Sequence, residues 1–196
     1  MKLRQILLLV ALLGMPALGW AQSGTHPNGV FLIARPTMVD PNFRRSVVLV
    51  TQAPDGTTVG FIVNRPSNRS LAQILPDSET FKRFTEPIYI GGPVQREDLF
   101  AVFRTKERPQ GALYVLDDLS FAMDPAVVEK LMHTPPERVR FFNGYAGWAP
   151  GQLAVELERG GWYVLNADAE TVFRKDMDTL WEELIRRLRS VTAMAR

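Results

Sequence analysis

The chain has 196 residues and no cysteine, which excludes disulfides, thiolate metal ligands and cysteine nucleophiles. It carries 23 basic and 21 acidic residues, and two of the basic ones, Lys2 and Arg4, lie at the amino terminus. Without the first 21 residues, the numbers of basic and acidic residues are equal. The main part of the chain therefore has no surplus of positive charge that would favour nucleic acid or an anionic membrane.

The first 21 residues have the order of a signal peptide. Two basic residues precede an apolar run over Ile6–Leu13, which is interrupted well short of the roughly 20 residues that a transmembrane helix needs. Gly19 and Ala21 fill the small-residue positions before a cleavage site. We therefore predict cleavage between Ala21 and Gln22, a periplasmic or exported product, and no stable membrane anchor. The alternative is an uncleaved leader or an N-terminal helix on a cytosolic protein.

The rest of the sequence predicts one domain rich in short strands. A polar linker is predicted at residues 22–28, the domain at 29–190 and a C-terminal tail at 191–196. Pro54-Asp55-Gly56 predicts a tight turn and hence a hairpin. The predicted strands are Val30–Ala34, Ser46–Thr51, Thr58–Val63, Ile88–Ile90, Leu99–Arg104, Ala112–Val115, Val139–Asn143 and Trp162–Asn166.

Three helices are predicted from capping residues and periodicity. Asp124-Pro125 is typical of an N-cap and first helical position, and this helix would run to Met132. A second helix is predicted from Pro150 to Gly160. A third, at residues 178–190, has acidic residues in its first turn and three arginines in its last, where they complement the helix dipole and are expected to face solvent.

Four separated blocks of the sequence resemble one known family. In chain order they are Phe31-Leu32-Ile33-Ala34 with Asp40, Phe43 and Ser46-Val47-Val48; Gly60-Phe61-Ile62-Val63-Asn64-Arg65-Pro66; Tyr89-Ile90-Gly91-Gly92-Pro93-Val94; and Gly144-Tyr145-Ala146-Gly147-Trp148-Ala149-Pro150-Gly151-Gln152-Leu153. Together they are similar to the AlgH/YqgE family, over about Val30 to Leu188. The last block is the most specific.

The resemblance implies an α+β fold in which a mixed, branched β-sheet curls into a partial barrel with flanking helices. Members of this family are largely uncharacterised, and their recurring label is that of a regulator of alginate production and of transcription. Fold and label do not establish an activity. The leader is a departure from typical relatives, which resemble cytosolic proteins and begin close to the first strand. If the leader works, the exported protein would have no direct role in transcription.

The candidate binding residues come from these blocks and one neighbouring position. We expect the loops after the strands to converge on one site for a small anionic ligand or a protein partner, with no cofactor and no metal ion. The carboxylate, amide, guanidinium, aromatic and glycine positions concerned are Asp40, Asn64, Arg65, Gly91, Gly92, Asn143, Gly144, Tyr145, Gly147, Trp148, Gly151 and Gln152. Oligomeric state is not predicted.

Each candidate also has a structural interpretation. Gly91-Gly92-Pro93 favours either an anion-binding nest or a turn between strands. The segment from Asn143 to Gly151 is predicted to be a flexible loop that enters a helix, where free amides could bind an anion. Trp148 could stack on a ligand or pack in the core. Glycine and proline could equally serve bends in a curved sheet.

An enzyme is the alternative class. Neither His26 nor His133 lies within the four blocks, so no histidine-centred triad or metal site is indicated. A cryptic site would need Asp40, Arg65 and Gln152 in one deep pocket, or a carboxylate pair such as Asp40 with Glu156, acting on a small anionic molecule.

Overall fold

A computed structural model describes residues 29–107 and 109–194, with side chains described as far as residue 190. The predicted leader, its cleavage site between Ala21 and Gln22, and the linker at residues 22–28 lie outside the described residues. Within the described part of the chain, no helix is long and apolar enough to cross a membrane.

The described residues form ten strands and five helices. The strands are β1 (Val30–Ala34), β2 (Val47–Gln52), β3 (Thr58–Ile62), β4 (Pro66–Ser70), β5 (Pro87–Ile90), β6 (Val94–Arg104), β7 (Ala112–Leu116), β8 (Leu119–Ala122), β9 (Val139–Trp148) and β10 (Trp162–Asn166). The helices are α1 (Leu71–Ile74), α2 (Pro125–Leu131), α3 (Gln152–Glu158), α4 (Ala169–Phe173) and α5 (Leu180–Met194).

The strands form one curled, branched sheet, which confirms the predicted α+β class and partial barrel. The main path runs β10-β1-β2-β3-β9-β6-β8-β7, and β4 and β5 form a side branch. The β2–β3 hairpin turns where Pro54-Asp55-Gly56 predicts it, with Asp55 Oδ1 accepting a hydrogen bond from the Thr57 amide at 3.0 Å. Pairing is antiparallel except between β5 and β9.

The branch forms on β9. Residues Phe142 and Asn143 pair with β5 and also with β6, so these two strands lie on opposite edges of β9. The chain must therefore cross β9 in the three residues between Ile90 and Val94. On the β5 edge, β9 continues past β5 and pairs its last three residues with β3.

Three apolar clusters hold the sheet and helices together. The largest contains Phe61, which packs edge-on against Phe121 with ring centroids 4.7 Å apart and also contacts Phe142. Helix α5 covers this cluster with Leu180, Leu184 and Ile185, as its predicted apolar stripe requires. The three arginines near its end are exposed, as expected.

Several elements differ from the sequence prediction. Strands β4 and β8 were not predicted: β4 is polar and pairs only with β5, and β8 has only four residues. Strand β6 begins at Val94 rather than Leu99, and α5 continues past Ser190 to Met194. Residues 144–148, predicted to be a loop, are the second half of β9. Their alternation of buried Ala146 and Trp148 with the less buried Tyr145 and Gly147 is the period-two pattern of a strand.

Helix α5 is fastened at its first turn. Trp181 Nε1 donates to the carbonyl of Ala34 at 2.8 Å, which ties the helix to β1. Arg174 donates from both Nη atoms to the Glu183 carboxylate, each at 2.9 Å, and Thr179 donates to the same group. These hydrogen bonds, those from Arg174 first, lower the pKa of Glu183 from 4.5 to about 2.

The Glu183 contact predicts an acid-sensitive part of the stability. Because the folded pKa lies below the unfolded value, the contribution is complete above about pH 4.5 and is lost as pH falls towards 2. In Glu183→Gln, the free energy of unfolding should fall less steeply over this pH window than in the unmodified chain. Denaturant titrations at several pH values measure this, and parallel pH profiles for the two proteins would contradict it.

Candidate functional site

The loop between β1 and β2 is held by side chains from the end of β3. Asn64 Oδ1 accepts from the Val47 amide at 2.8 Å, and its Nδ2 donates to the Arg45 carbonyl at 2.9 Å. Arg45 has φ of 56°, a conformation that is unfavourable for a residue with a side chain and that these bonds support. Asp40 Oδ1 accepts from the Asn42 amide at 2.8 Å, which shapes the turn.

Two arginines converge on Asn42 in this loop. Arg65 Nη1 donates to the Asn42 carbonyl at 2.8 Å, and Arg96 Nη2 donates to the Asn42 side-chain oxygen at 2.8 Å. Arg65 Nη2 also donates to the Arg44 carbonyl at 3.4 Å. Arg65 is half-buried and Arg96 is exposed. We call Arg65, Arg96 and Asn42 the arginine cluster.

The arginine cluster has no acidic partner among the described residues. Neither guanidinium forms an ion pair with a described residue. Asp40 accepts a hydrogen bond from the Asn42 amide and does not form an ion pair with Arg65. Burial, and then the nearby Arg96 guanidinium, lower the pKa of Arg65. Two like charges are thus held at one loop by neutral acceptors.

Gly91 and Gly92, in the segment that crosses β9, have a structural role. Gly91 donates its amide to the Asn143 carbonyl at 2.8 Å and accepts at its carbonyl from the Ile62 amide at 2.8 Å. The Gly91 amide is therefore not free to contribute to an anion-binding nest, which was one of the two interpretations of this segment. Neither Gly91 nor Gly92 has the positive φ of a tight turn. Gly144 does, with φ of 67°, and a side chain there would press on the carbonyl of Gly92.

The remaining candidate binding residues near this crossing are at least partly exposed to solvent. Asn143 Nδ2 donates to the Asp98 carbonyl at 3.4 Å, and its side chain is half-buried. Tyr145 is also half-buried and packs edge-on against Phe100, with centroids 5.4 Å apart. Gly147 is exposed. These residues adjoin the arginine cluster through Gly144, whose added Cβ would lie 3.2 Å from the Arg96 Cα.

Trp148, Gly151 and Gln152 belong to a second group at the far end of β9. Trp148 is 3 % exposed and stacks on Phe43. Its indole nitrogen and that of Trp162 both donate to Glu156 Oε2, at 3.0 and 2.9 Å. This burial leaves Trp148 no face for stacking on a ligand, so its core interpretation is the correct one.

Gln152 is also engaged within this group. Its Oε1 accepts from the Ala149 amide at 3.1 Å, and its Nε2 donates to Glu156 Oε1 at 3.2 Å. Helix α3 begins at Gln152 rather than Pro150 and has seven residues, and the Gln152 amide donates to the Ala149 carbonyl at 3.0 Å. Gly151 has φ of 80° and open space around it.

The side chains of the enzyme constellations proposed from sequence are engaged in other hydrogen bonds. Arg65 contacts the loop of Asn42, Gln152 is engaged with Glu156, and Glu156 accepts hydrogen bonds from two tryptophans. Among the described residues, no group of three or more histidines and carboxylates could hold a metal ion.

Sequence reasoning missed Asn42 and Arg96. Asn42 lies between two residues of the first block, Asp40 and Phe43, and Arg96 follows the third block by two positions. Nothing local marks them, because their roles depend on a contact between residues 54 positions apart. The one sequence signal that could have found Arg96 is its position, a basic residue shortly after Gly91-Gly92-Pro93.

The geometry defines a curled α+β half-barrel, a fold also found in solved proteins. A solution structure of the AlgH protein from Pseudomonas aeruginosa matches with a TM-score of 0.67 and 31 % identity, covering 87 % of this chain and 95 % of that one. A crystal structure of protein DIP2367 from Corynebacterium diphtheriae matches with a TM-score of 0.66 and 28 % identity, covering 82 % and 86 %.

Sequence comparison gives the same result. The AlgH-like family model matches residues 31–192. A UPF0301 protein of Thermobifida fusca is 38 % identical over 173 residues, covering 81 % of this chain and 85 % of that protein. A UPF0301 protein of Chlorobaculum tepidum is 33 % identical over 161 residues, covering 81 % and 84 %. The chain belongs to the AlgH-like family.

Proposed function

We propose that the chain is a non-enzymatic binding or regulatory protein that takes an anionic group at the arginine cluster. The observation that carries the proposal is the convergence of Arg65 and Arg96 on Asn42 without a carboxylate partner. A guanidinium binds carboxylate or phosphate through a planar fork of donors, and two of them can share one anion.

The arrangement favours an anion over a purely structural role. The hydrogen bonds to Asn42 leave further donors on each guanidinium, since each group has five N–H donors. The mutual repulsion that helps to lower the pKa of Arg65 would be relieved when an anion binds between the two groups. Arg96 is exposed, so an anion can reach it from solvent.

The ligand is either a free small anion or an acidic segment of a partner protein. Both present the same chemistry to the arginines, namely a carboxylate or phosphate oxygen. Hydrogen bonds from Asn64 and Arg65 hold the Asn42 loop in one conformation. Because this surface is formed before binding, it favours a ligand that contacts only a small area.

A titration with inorganic phosphate tests the proposal. Amide NMR signals of residues 40–44 and of Arg65 and Arg96 should shift in a saturable way at constant ionic strength. Arg96→Gln should weaken the apparent affinity about tenfold, because a charge-assisted hydrogen bond at a solvated position is lost. A parallel titration with a glutamate-rich peptide distinguishes a partner segment from a free anion.

Arg159→Gln is the matched control. Arg159 is an exposed arginine after α3 whose side chain forms no hydrogen bond or ion pair with the described residues. Its substitution changes the net charge by the same amount as Arg96→Gln. An equal loss of phosphate affinity in both variants would show that the effect arises from net charge alone and would refute a site at the arginine cluster. The absence of saturable shifts with both probes would refute the proposal altogether.

A further inference from the structure

A small cavity lies between the paired strands β4 and β5 and the segment 174–179, which joins α4 to α5. Its volume is about 270 Å³, and it shares no lining residue with the arginine cluster. Its polar lining consists of Glu86, Tyr89, Lys175, Asp176 and Asp178. We call it the β5 cavity.

A buried arginine fixes both walls of the β5 cavity. Arg140, on β9 and 3 % exposed, donates from Nη1 to the Val172 carbonyl at 2.6 Å and from Nη2 to the Arg174 carbonyl at 3.0 Å. Its Nη2 also donates to Glu86 Oε2 at 3.1 Å. A buried charge requires such partners, and these contacts hold the chain before Lys175 against the strands. The cavity is therefore formed by the fold itself.

Tyr89 brings an unused hydroxyl to this cavity. The residue is 2 % exposed, and its ring packs between the Arg140 guanidinium, 4.5 Å from the ring centroid, and Phe142, whose centroid is 5.6 Å away. Within the described part of the chain, the hydroxyl forms no hydrogen bond. Because this unpaired oxygen is not sealed from solvent, the tip of an otherwise buried ring opens into the cavity that it lines.

Two carboxylates lie near this hydroxyl. Burial is the largest influence on the pKa of Tyr89 and raises it, and the positive charge of Arg140 opposes this effect. Glu86 and Asp178 raise the pKa further, because a nearby negative charge disfavours a phenolate. The hydroxyl therefore stays neutral beside two carboxylates, and all three groups can accept hydrogen bonds.

The charges of the β5 cavity favour a cationic ligand. The three carboxylates Glu86, Asp176 and Asp178 outnumber the two cations, Lys175 in the lining and Arg140 behind it. Oxygen Oε2 of Glu86 is used by Arg140, and neither aspartate forms an ion pair with a described residue. One additional positive charge would balance the cavity.

We propose that the β5 cavity binds the ammonium group of a primary alkylamine. An ammonium group has three N–H donors, and the cavity offers it the Tyr89 hydroxyl and the carboxylates of Glu86 and Asp178 as acceptors. The alkyl chain lies against the apolar side chains of Pro66 and Met177, which also line the cavity.

The size of the cavity restricts the ligand to a short chain, since pockets for drug-sized molecules begin at roughly 300 Å³. A free amine and a lysine side chain of a partner protein present the same ammonium group. The proposal is independent of the anion site, because the two sites have no residue in common.

A titration of the full chain with pentylamine tests the proposal. Amide NMR signals of residues 88–90 and 175–178 should shift in a saturable way at constant ionic strength. Pentanol has the same chain without the charge, and tetramethylammonium has the charge without N–H donors. Each should bind at least tenfold more weakly than pentylamine, because charge and hydrogen bonding act together at this site.

Two variants and their matched controls locate the site. Tyr89→Phe keeps the ring contacts and removes only the hydroxyl, so it should weaken pentylamine about tenfold. Tyr163→Phe removes a hydroxyl from another tyrosine that packs against an arginine, and it should leave the affinity unchanged. Asp178→Asn, at an exposed position, should weaken binding about threefold. Asp77→Asn removes an exposed carboxylate elsewhere and should have no effect.

Three results would overturn the proposal. The first is equal binding of pentylamine and either pentanol or tetramethylammonium. The second is an unchanged pentylamine affinity in both Tyr89→Phe and Asp178→Asn, of which the latter leaves the buried packing intact. The third is displacement of pentylamine by an equal concentration of Ca²⁺, which would assign the cavity to a divalent cation.

A comparison with acetyl-lysine amide, blocked at its α-amino group, distinguishes the two sources of the ammonium group. Tighter binding of this compound than of pentylamine would support the proposal with a partner's lysine side chain as the ligand. Tighter binding of pentylamine would support it with a free amine as the ligand.

Discussion

Gly92→Ala is expected to lower the free energy of unfolding by about 3 to 5 kcal/mol, a loss at the upper end for a single substitution. An ideal Cβ on Gly92 would lie 2.2 Å from the carbonyl carbon and oxygen of Tyr145. Both atoms belong to the backbone of β9, so no rotamer change can relieve the contact. Chemical denaturation monitored by tryptophan fluorescence measures the loss.

Gly151→Ala is the matched control for this experiment. Gly151 has φ of 80°, but nothing lies within 4 Å of an added Cβ. Its substitution should therefore cost only about 1 kcal/mol, the backbone penalty for a left-handed residue with a side chain. If both alanine variants lose the same stability, the crossing of β9 is not as tight as described.

The crossing shows where the sequence was ambiguous. Gly91-Gly92-Pro93 favours a turn or a nest when only local geometry is considered. Its actual task follows from two strands, β5 and β6, that lie on opposite edges of β9 and are joined by three residues. That arrangement is a property of the branched sheet, and no propensity of the segment itself contains it.

Elements with local signals were predicted well. The β2–β3 hairpin follows from Asp55-Gly56, the start of α2 from Asp124-Pro125, and α5 from its apolar stripe. Strand β4 could not be predicted in this way, because Pro66–Ser70 is polar and its one partner is β5. The second half of β9 was missed because its glycines resemble a loop.

The candidate site shows the same difference between residues with a local sequence signal and contacts that depend on tertiary packing. Asn64 and Arg65 could be identified from sequence as polar groups at the end of a strand, and in the structure both side chains donate hydrogen bonds to the loop after Asp40. Their hydrogen-bond partners, backbone atoms of that loop, were not predictable because they depend on tertiary packing. The second guanidinium, Arg96, reaches the loop only because the chain crosses β9 before β6 begins.

Glu156 is the second position at which a single substitution should have a large effect. One of its oxygens, Oε2, accepts hydrogen bonds from the indoles of Trp148 and Trp162, both 3 % exposed. Glu156→Ala would leave two buried donors without an acceptor. Because bonds to a charged acceptor contribute more than neutral ones and unpaired buried donors are costly, we expect a loss of about 3 to 4 kcal/mol in the free energy of unfolding.

Two companion variants separate the hydrogen bonds from the helix. Glu158→Ala lies on the same helix, is exposed and should change stability by less than about 0.5 kcal/mol. Glu156→Gln keeps an acceptor oxygen for the indoles and should recover more than half of the loss. Equal losses in Glu156→Ala and Glu158→Ala would show that the hydrogen bonds to the two indoles are not the cause of the loss, because alanine itself has a higher helix propensity than glutamate. If instead Glu156→Gln is as unstable as Glu156→Ala, the charge of the carboxylate, and not only its oxygen, is what the two tryptophans require.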